Sequence, residues 1–207
     1  MTSRPDTGDT TAMLGRTAVF AALIIVLGTV IVPLPAGVPI TAQTLGVMLA
    51  GLVLGPRVAA LSVGVVLVLA AVGLPVLAGG RGGLGVFFGP SAGYLFGWIA
   101  GVVVIGLIMR TGRFTWWRVA TACVLGGILV VYAFGIPVQA FVTGVPLAPT
   151  ALSSLVFLPG DLIKVAAATS VAVILKRAYP RAFEGLRPAA SAVDQTEPVR
   201  TSSAETR

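Results

Sequence analysis

Between Arg16 and Lys176 the sequence holds a single carboxylate, Asp161. A stretch that long with one acid cannot present the mixed-charge exterior of a soluble domain. Only 10% of the 207 residues are charged and 57% are hydrophobic, against about 25% charged in soluble proteins. The sequence therefore reads as an all-α integral membrane protein. Six apolar runs, at about 14–32, 40–55, 58–77, 90–109, 119–138 and 151–176, are each long enough for a transmembrane helix or nearly so. They make a membrane domain over 13–178. The polar residues 1–12 read as a short disordered cytoplasmic tail, and 179–207, rich in Ala, Ser, Thr, Glu and Pro, as a second, mostly disordered one.

The net charge of +7, from 14 Lys and Arg against 7 Asp and Glu, would suit nucleic acid, but its placement argues for the bilayer instead. With six spans both termini lie on one side, together with Arg4, Arg16, Arg57, Arg110, Arg113, Arg118 and the cations from Lys176 to Arg187; the other side has Arg81 alone. Positive charge gathers on the cytoplasmic side of membrane proteins, so the chain is expected to be multi-pass in the cell membrane with both termini cytoplasmic. One cysteine and no histidine leave no metal site and no Cys/His catalysis to argue for. No serine or cysteine stands beside a base, so an enzyme is not indicated.

Asp161 belongs to Phe157-Leu-Pro-Gly-Asp-Leu-Ile-Lys164, inside the sixth apolar run. Residues three apart share a helix face, so Asp161 and Lys164 point the same way. Charge at membrane depth is costly and normally faces the bundle interior to do a job; the alternative is that the pair neutralises itself and locks helices together. Pro159-Gly160 is expected to break or bend the helix, which would leave Asp161 in a first turn where the helix dipole favours an anion.

Other polar residues gather at the ends of spans on the same side. Gln43, between Thr41 and Thr44, is either an interfacial cap or an amide contact to a ligand. Tyr94 is either an interface anchor or a ligand contact. The loop Ala78 to Pro90 is glycine-rich with one cation, Arg81, and two aromatics, Phe87 and Phe88; such a loop suits close packing over a ligand and movement. Its Gly80-x-Gly82-x-x-Gly85 lacks the strand and helix that a dinucleotide fingerprint requires. Gly93, Gly97 and Gly101 give the fourth span a face for tight packing, and Ala18 and Ala22 form a small-x-x-x-small pair on the first.

Val38-Pro-Ile-Thr-Ala-Gln-Thr-Leu-Gly, Gly55-Pro-Arg, Gly73-Leu-Pro-Val, the Gly-Gly-x-Gly-Gly loop with Gly89-Pro90, and Phe157 to Lys164, in that order, resemble the BioY family over roughly residues 14–178. The resemblance implies the six-helix S-component fold of energy-coupling factor (ECF) transporters. It implies biotin as the substrate, bound from outside a prokaryotic cell. A transmembrane coupling protein and two ATP-binding cassette ATPases are implied as partners, ATP being used by the ATPases alone. Ala18 and Ala22 match the small-residue motif by which S-components dock on the coupling protein. In a biotin pocket Asp161 would accept ureido N–H bonds and Lys164 would donate to the ureido carbonyl. Gln43 would add an amide contact, and Tyr94, Phe87 and Phe88 would be walls or lid. Arg81 would either attract the valerate carboxylate or be a solvated loop charge. The rival class is a carrier, ion-coupled or standing alone, for biotin or another small vitamin-like solute; an ion-coupled one is expected to show a repeated pair of broken helices, and the break at Pro159-Gly160 has no clear counterpart in the first half.

Overall fold

In the computed structural model, residues 7–32 and 40–186 are described. Six helices carry the fold: α1 Thr7–Leu27, α2 Gln43–Leu54, α3 Pro56–Ala71, α4 Ala92–Arg110, α5 Trp116–Thr143 and α6 Leu147–Ala178. The remaining regular structure is slight. A two-residue antiparallel pair joins β1 Ile31–Val32 to β2 Ile40–Thr41, and 3₁₀ turns run over Leu84–Phe87 and Pro180–Leu186.

Helices α1, α4, α5 and α6 are long and apolar enough to cross a membrane. The runs expected at 40–55 and 58–77 are helical over only part of their length, as α2 of 12 residues and α3 of 16. At 1.5 Å per residue these reach about 18 and 24 Å, short of the ~30 Å hydrocarbon layer. α3 stops at Ala71 because Gly73 takes φ +100° and Pro75 lacks an N–H. α2 compensates by position. Every residue from Gly46 to Leu54 is buried, so α2 is the central post of the bundle rather than a lipid-facing span.

The other boundaries also shift. α1 begins at Thr7, inside the expected tail 1–12. α5 and α6 run beyond 119–138 and 151–176 at both ends. α5 passes through a π-helical stretch, Cys123–Val130, and keeps Pro137 inside it. α6 tightens to 3₁₀ over Leu155–Phe157, then resumes as α-helix at Leu158 with Pro159 in its first positions and Asp161 in its first turn. Proline is at home there because the first N–H groups of a helix have no intrahelical partner. Beyond Ala178, the turn Pro180–Leu186 buries Phe183 against the Phe114 ring, with centroids 5.3 Å apart. That part of the segment 179–207 is docked rather than tail; residues 187–207, like 1–6 and 33–39, lie outside the described residues.

The glycines of α4 meet α5 backbone to backbone. A Cβ on Gly101 would lie 2.5 Å from the Gly126 carbonyl oxygen, one on Gly126 would lie 2.6 Å from that of Gly101, and one on Gly93 would collide with the Phe134 carbonyl. α1 lies at the periphery, its apolar run mostly unburied within the chain.

Candidate ligand site between four helices

The first turn of the resumed α6 carries Asp161, 6% exposed, with Lys164 one turn on. Lys164 Nζ donates to Asp161 Oδ1 at 2.9 Å and to Thr44 Oγ1 on α2, also at 2.9 Å. Tyr132 on α5 donates its hydroxyl to Asp161 Oδ2 at 2.6 Å, in the range of a charge-assisted O–H···O⁻ bond. The ion pair lies within one helix, so it does not itself lock helices together. Thr44 and Tyr132 make the links across, tying α2, α5 and α6 at one point.

This cluster is not saturated. A carboxylate offers about four lone-pair sites and an ammonium three N–H groups; two of the four and two of the three are taken. What remains is at least one strong acceptor position and one donor side by side, facing a cavity of about 680 Å³, mouth included. Its lining is mainly aromatic and aliphatic, with Leu95 and Trp98 from α4, Val131 from α5 and Phe157 from α6.

The expected site residues divide. Asp161, Lys164, Gln43, Tyr94 and Arg81 line this one cavity. The Gln43 amide, however, is already engaged. Its Nε2 donates to the Val76 carbonyl at 3.0 Å and its Oε1 accepts from Ala78 N at 3.2 Å, so Gln43 fastens the loop to the top of α2. Gly28 makes room for it, since a Cβ there would stand 2.6 Å from Gln43 Cδ. Tyr94 is a wall whose hydroxyl is held behind the cavity, donating to Gln139 Oε1 at 2.8 Å and lying 3.3 Å from Ser154 Oγ. Its ring stands edge-on to Tyr132 and to Phe157.

The glycine-rich loop is a tight turn. Leu77 and Arg81 exchange backbone hydrogen bonds, and Gly79 and Gly80 between them take φ +73° and +70°, which residues with a Cβ rarely adopt. Arg81 Nε donates back to the Ala78 carbonyl at 3.0 Å, fixing the guanidinium at the cavity. Phe87 and Phe88 do not line the cavity. A 3₁₀ turn rotates about 120° per residue, which leaves Phe87 against Phe96 on the outer side of α4 and Phe88 78% exposed. They form no part of the cavity wall expected of them.

Sequence reasoning missed Thr44, Trp98, Tyr132 and Phe157 as lining residues. A hydroxyl inside an apolar run was the available signal for Tyr132. Ala18 and Ala22 are exposed together on α1, four residues apart, so one face of that helix is left for something else to cover. Among the described residues there is no cluster of three metal-ligating side chains.

Comparisons with known proteins agree with this fold. The family model described as the BioY family matches residues 1–181. A protein of Rhizobium etli named biotin transporter BioY is 44% identical over 174 residues, covering 79% of this chain and 92% of its own. A biotin transporter BioY of Rhodobacter capsulatus is 47% identical over 187 residues, covering 79% and 93%. The 2.1 Å crystal structure of the S-component for biotin from an ECF-type ABC transporter superposes with a TM-score of 0.78 at 35% identity, covering 84% of this chain and 95% of that one.

Proposed function

The chain belongs to the BioY family, and from that premise we propose that it binds biotin outside the cell and carries it across the membrane as the substrate-specific component of an ECF-type ABC transporter. The observation that carries this reading is the pairing of Asp161 with Lys164 at the head of a mainly apolar cavity. Biotin ends in a ureido group, which offers two N–H donors and one carbonyl acceptor. The free lone pairs of Asp161 suit the donors and the free N–H of Lys164 suits the carbonyl. Both bonds are charge-assisted, hence about twice as strong as neutral ones, and the low dielectric around them adds strength.

The rest of the ligand follows from that anchor. The fused rings are apolar and fit against Trp98, Tyr94 and Phe157. The valerate carboxylate extends toward the loop, where Arg81 is the cation within the lining that is not already paired with a carboxylate. Gln43 acts through the loop it holds. No bond of the vitamin is made or broken; the work is transport.

The sequence carries no Walker-type phosphate loop, so the energy comes from partners, a transmembrane coupling protein and two ABC ATPases. The exposed Ala18–Ala22 face of α1 is the docking surface for the coupling protein, because small residues at that spacing let a second helix approach closely. The basic ends of the helices support a topology with both termini in the cytoplasm and the cavity opening outward. Isothermal titration of the purified chain with biotin tests the proposal. Saturable one-site binding is expected, and its absence in a folded sample would end the reading. Biotin uptake in cells that persists after ATP depletion would remove the ABC partners.

A further inference from the structure

The end of the bundle opposite the cavity carries cations that the ligand site does not employ. Arg57 opens α3, Arg110 closes α4, Arg113 lies in the link to α5, Arg177 in the last turn of α6 and Arg181 in the 3₁₀ turn beyond it. Among the described residues none of the five has a hydrogen-bond or ion-pair partner, Lys164–Asp161 being the one salt bridge found there. Two further cations at this end are engaged within the chain. Arg118 donates to the Ile108 carbonyl at 2.9 and 2.6 Å and to Thr111, capping α4, and Lys176 lies 5.3 Å over the Phe183 ring. The described acidic residues that the topology places at this end are Asp9 and Glu184.

The packing of Phe114 on Phe183 draws part of this charge to one corner. It joins the α4–α5 link to the C-terminal turn. Arg113 directly precedes Phe114, Arg181 lies two residues before Phe183, and Arg177 follows Lys176, whose ammonium covers the same ring. Trp116 and Trp117 start α5 immediately afterwards, 68% and 57% exposed. We infer that this corner, Arg113 with Trp116, Trp117, Arg177 and Arg181, is a binding site for the headgroup of an anionic phospholipid. Guanidinium groups match the oxygens of a phosphodiester in paired hydrogen bonds, and basic clusters at the cytoplasmic face attract anionic lipid.

The tryptophans decide between a lipid and an acidic protein. Two exposed indoles where a helix enters its apolar run mark the level of the headgroups, with the ring in the acyl boundary and the N–H toward water. At that level the nearest anions are lipid phosphates.

The full chain is placed in nanodiscs of phosphatidylcholine alone and of phosphatidylcholine with phosphatidylglycerol. The anionic lipid is expected to raise the thermal midpoint by roughly 3–6 °C through binding to the folded state, and native mass spectrometry to retain phosphatidylglycerol on the protein. Arg113→Gln, Arg177→Gln and Arg181→Gln combined should abolish both effects with the Kd for biotin unchanged, which also certifies the fold. Should the triple variant fail that check, Arg113→Gln and Arg181→Gln singly should each reduce the shift, while Arg57→Gln should leave it intact. Equal midpoints for the unaltered chain in the two bilayers, or a shift that survives the substitutions, overturns the site. Equal midpoints together with loss of coupling-protein capture in the variant would assign the corner to a protein partner instead.

Discussion

The hydroxyl of Tyr132 stands 2.6 Å from Oδ2 of Asp161, so the carboxylate proposed to anchor the ligand is oriented by a residue from a different helix. Tyr132→Phe keeps the ring and its edge contact with Tyr94 while removing that donor. Biotin affinity is expected to fall by about 1.5–3 kcal/mol, the range for a hydrogen bond to a charged group, and the thermal midpoint to fall as well, since the same bond ties α5 to α6. Titration calorimetry measures the first and a melting scan the second. An unaltered Kd would mean that Asp161 is held without Tyr132.

Removing either member of the ion pair should be costlier. Asp161→Asn leaves the Lys164 ammonium uncompensated, and Lys164→Ala leaves Asp161 with only Tyr132. Each is expected to weaken biotin by ~2–5 kcal/mol, because a charge with little access to water loses its partner. Titration of purified, folded variants is the check, and a change below tenfold in both would place the ureido group elsewhere.

For Gln43 the expected effect runs through the loop. Gln43→Ala leaves the Val76 carbonyl and the Ala78 amide without their partner, at a cost of about 1–3 kcal/mol per unsatisfied buried group. Hydrogen exchange at 76–81 should quicken in the variant without ligand. Unchanged protection there would show that the turn holds itself.

Arg81 is assigned to the carboxylate tail, and a biotin amide separates that role from any other. Arg81→Ala should weaken biotin by roughly 1.5–3 kcal/mol, as for a hydrogen bond between charged groups, and leave the amide nearly unaffected. Equal losses for the two ligands would refute the assignment.

Gly135 faces the Tyr94 ring so closely that an added Cβ would collide with it. Gly135→Ala should therefore push the cavity wall or part the helices, destabilising by about 1–3 kcal/mol as overpacking does. Gly64→Ala is the control, since nothing lies within 4 Å of a Cβ built there. A melting scan that ranks the two variants alike would contradict the packing described.

How far the sequence reached depended on how unusual each residue was in its surroundings. Asp161 and Lys164 were legible because charge inside an apolar run has few bland explanations, and Pro159-Gly160 marked the place where α6 starts afresh. Tyr132 was overlooked because one tyrosine in such a run is ordinary; its meaning lies in a contact with a residue 29 positions away. Gln43 and Tyr94 were found but read too directly, since the sequence shows polar groups and not whether a neighbour has already taken them. Phe88 followed the loop's reputation rather than the phase of its 3₁₀ turn. Helix ends moved for a similar reason: Pro137 does not stop α5 because, without water to hydrate a broken backbone, neighbouring groups re-satisfy what proline frees.

Where Gly93, Gly97, Gly101 and Gly126 let α4 and α5 touch main chain to main chain, the two helices form one stiff slab. At those backbone contacts there is little room to slide or re-rotamer, so a transport cycle is poorly accommodated by shearing the joint. Any change of shape that frees the vitamin has to leave this slab whole, pivoting the lightly packed α1 or the turn around Gly79 against a wall that stays put.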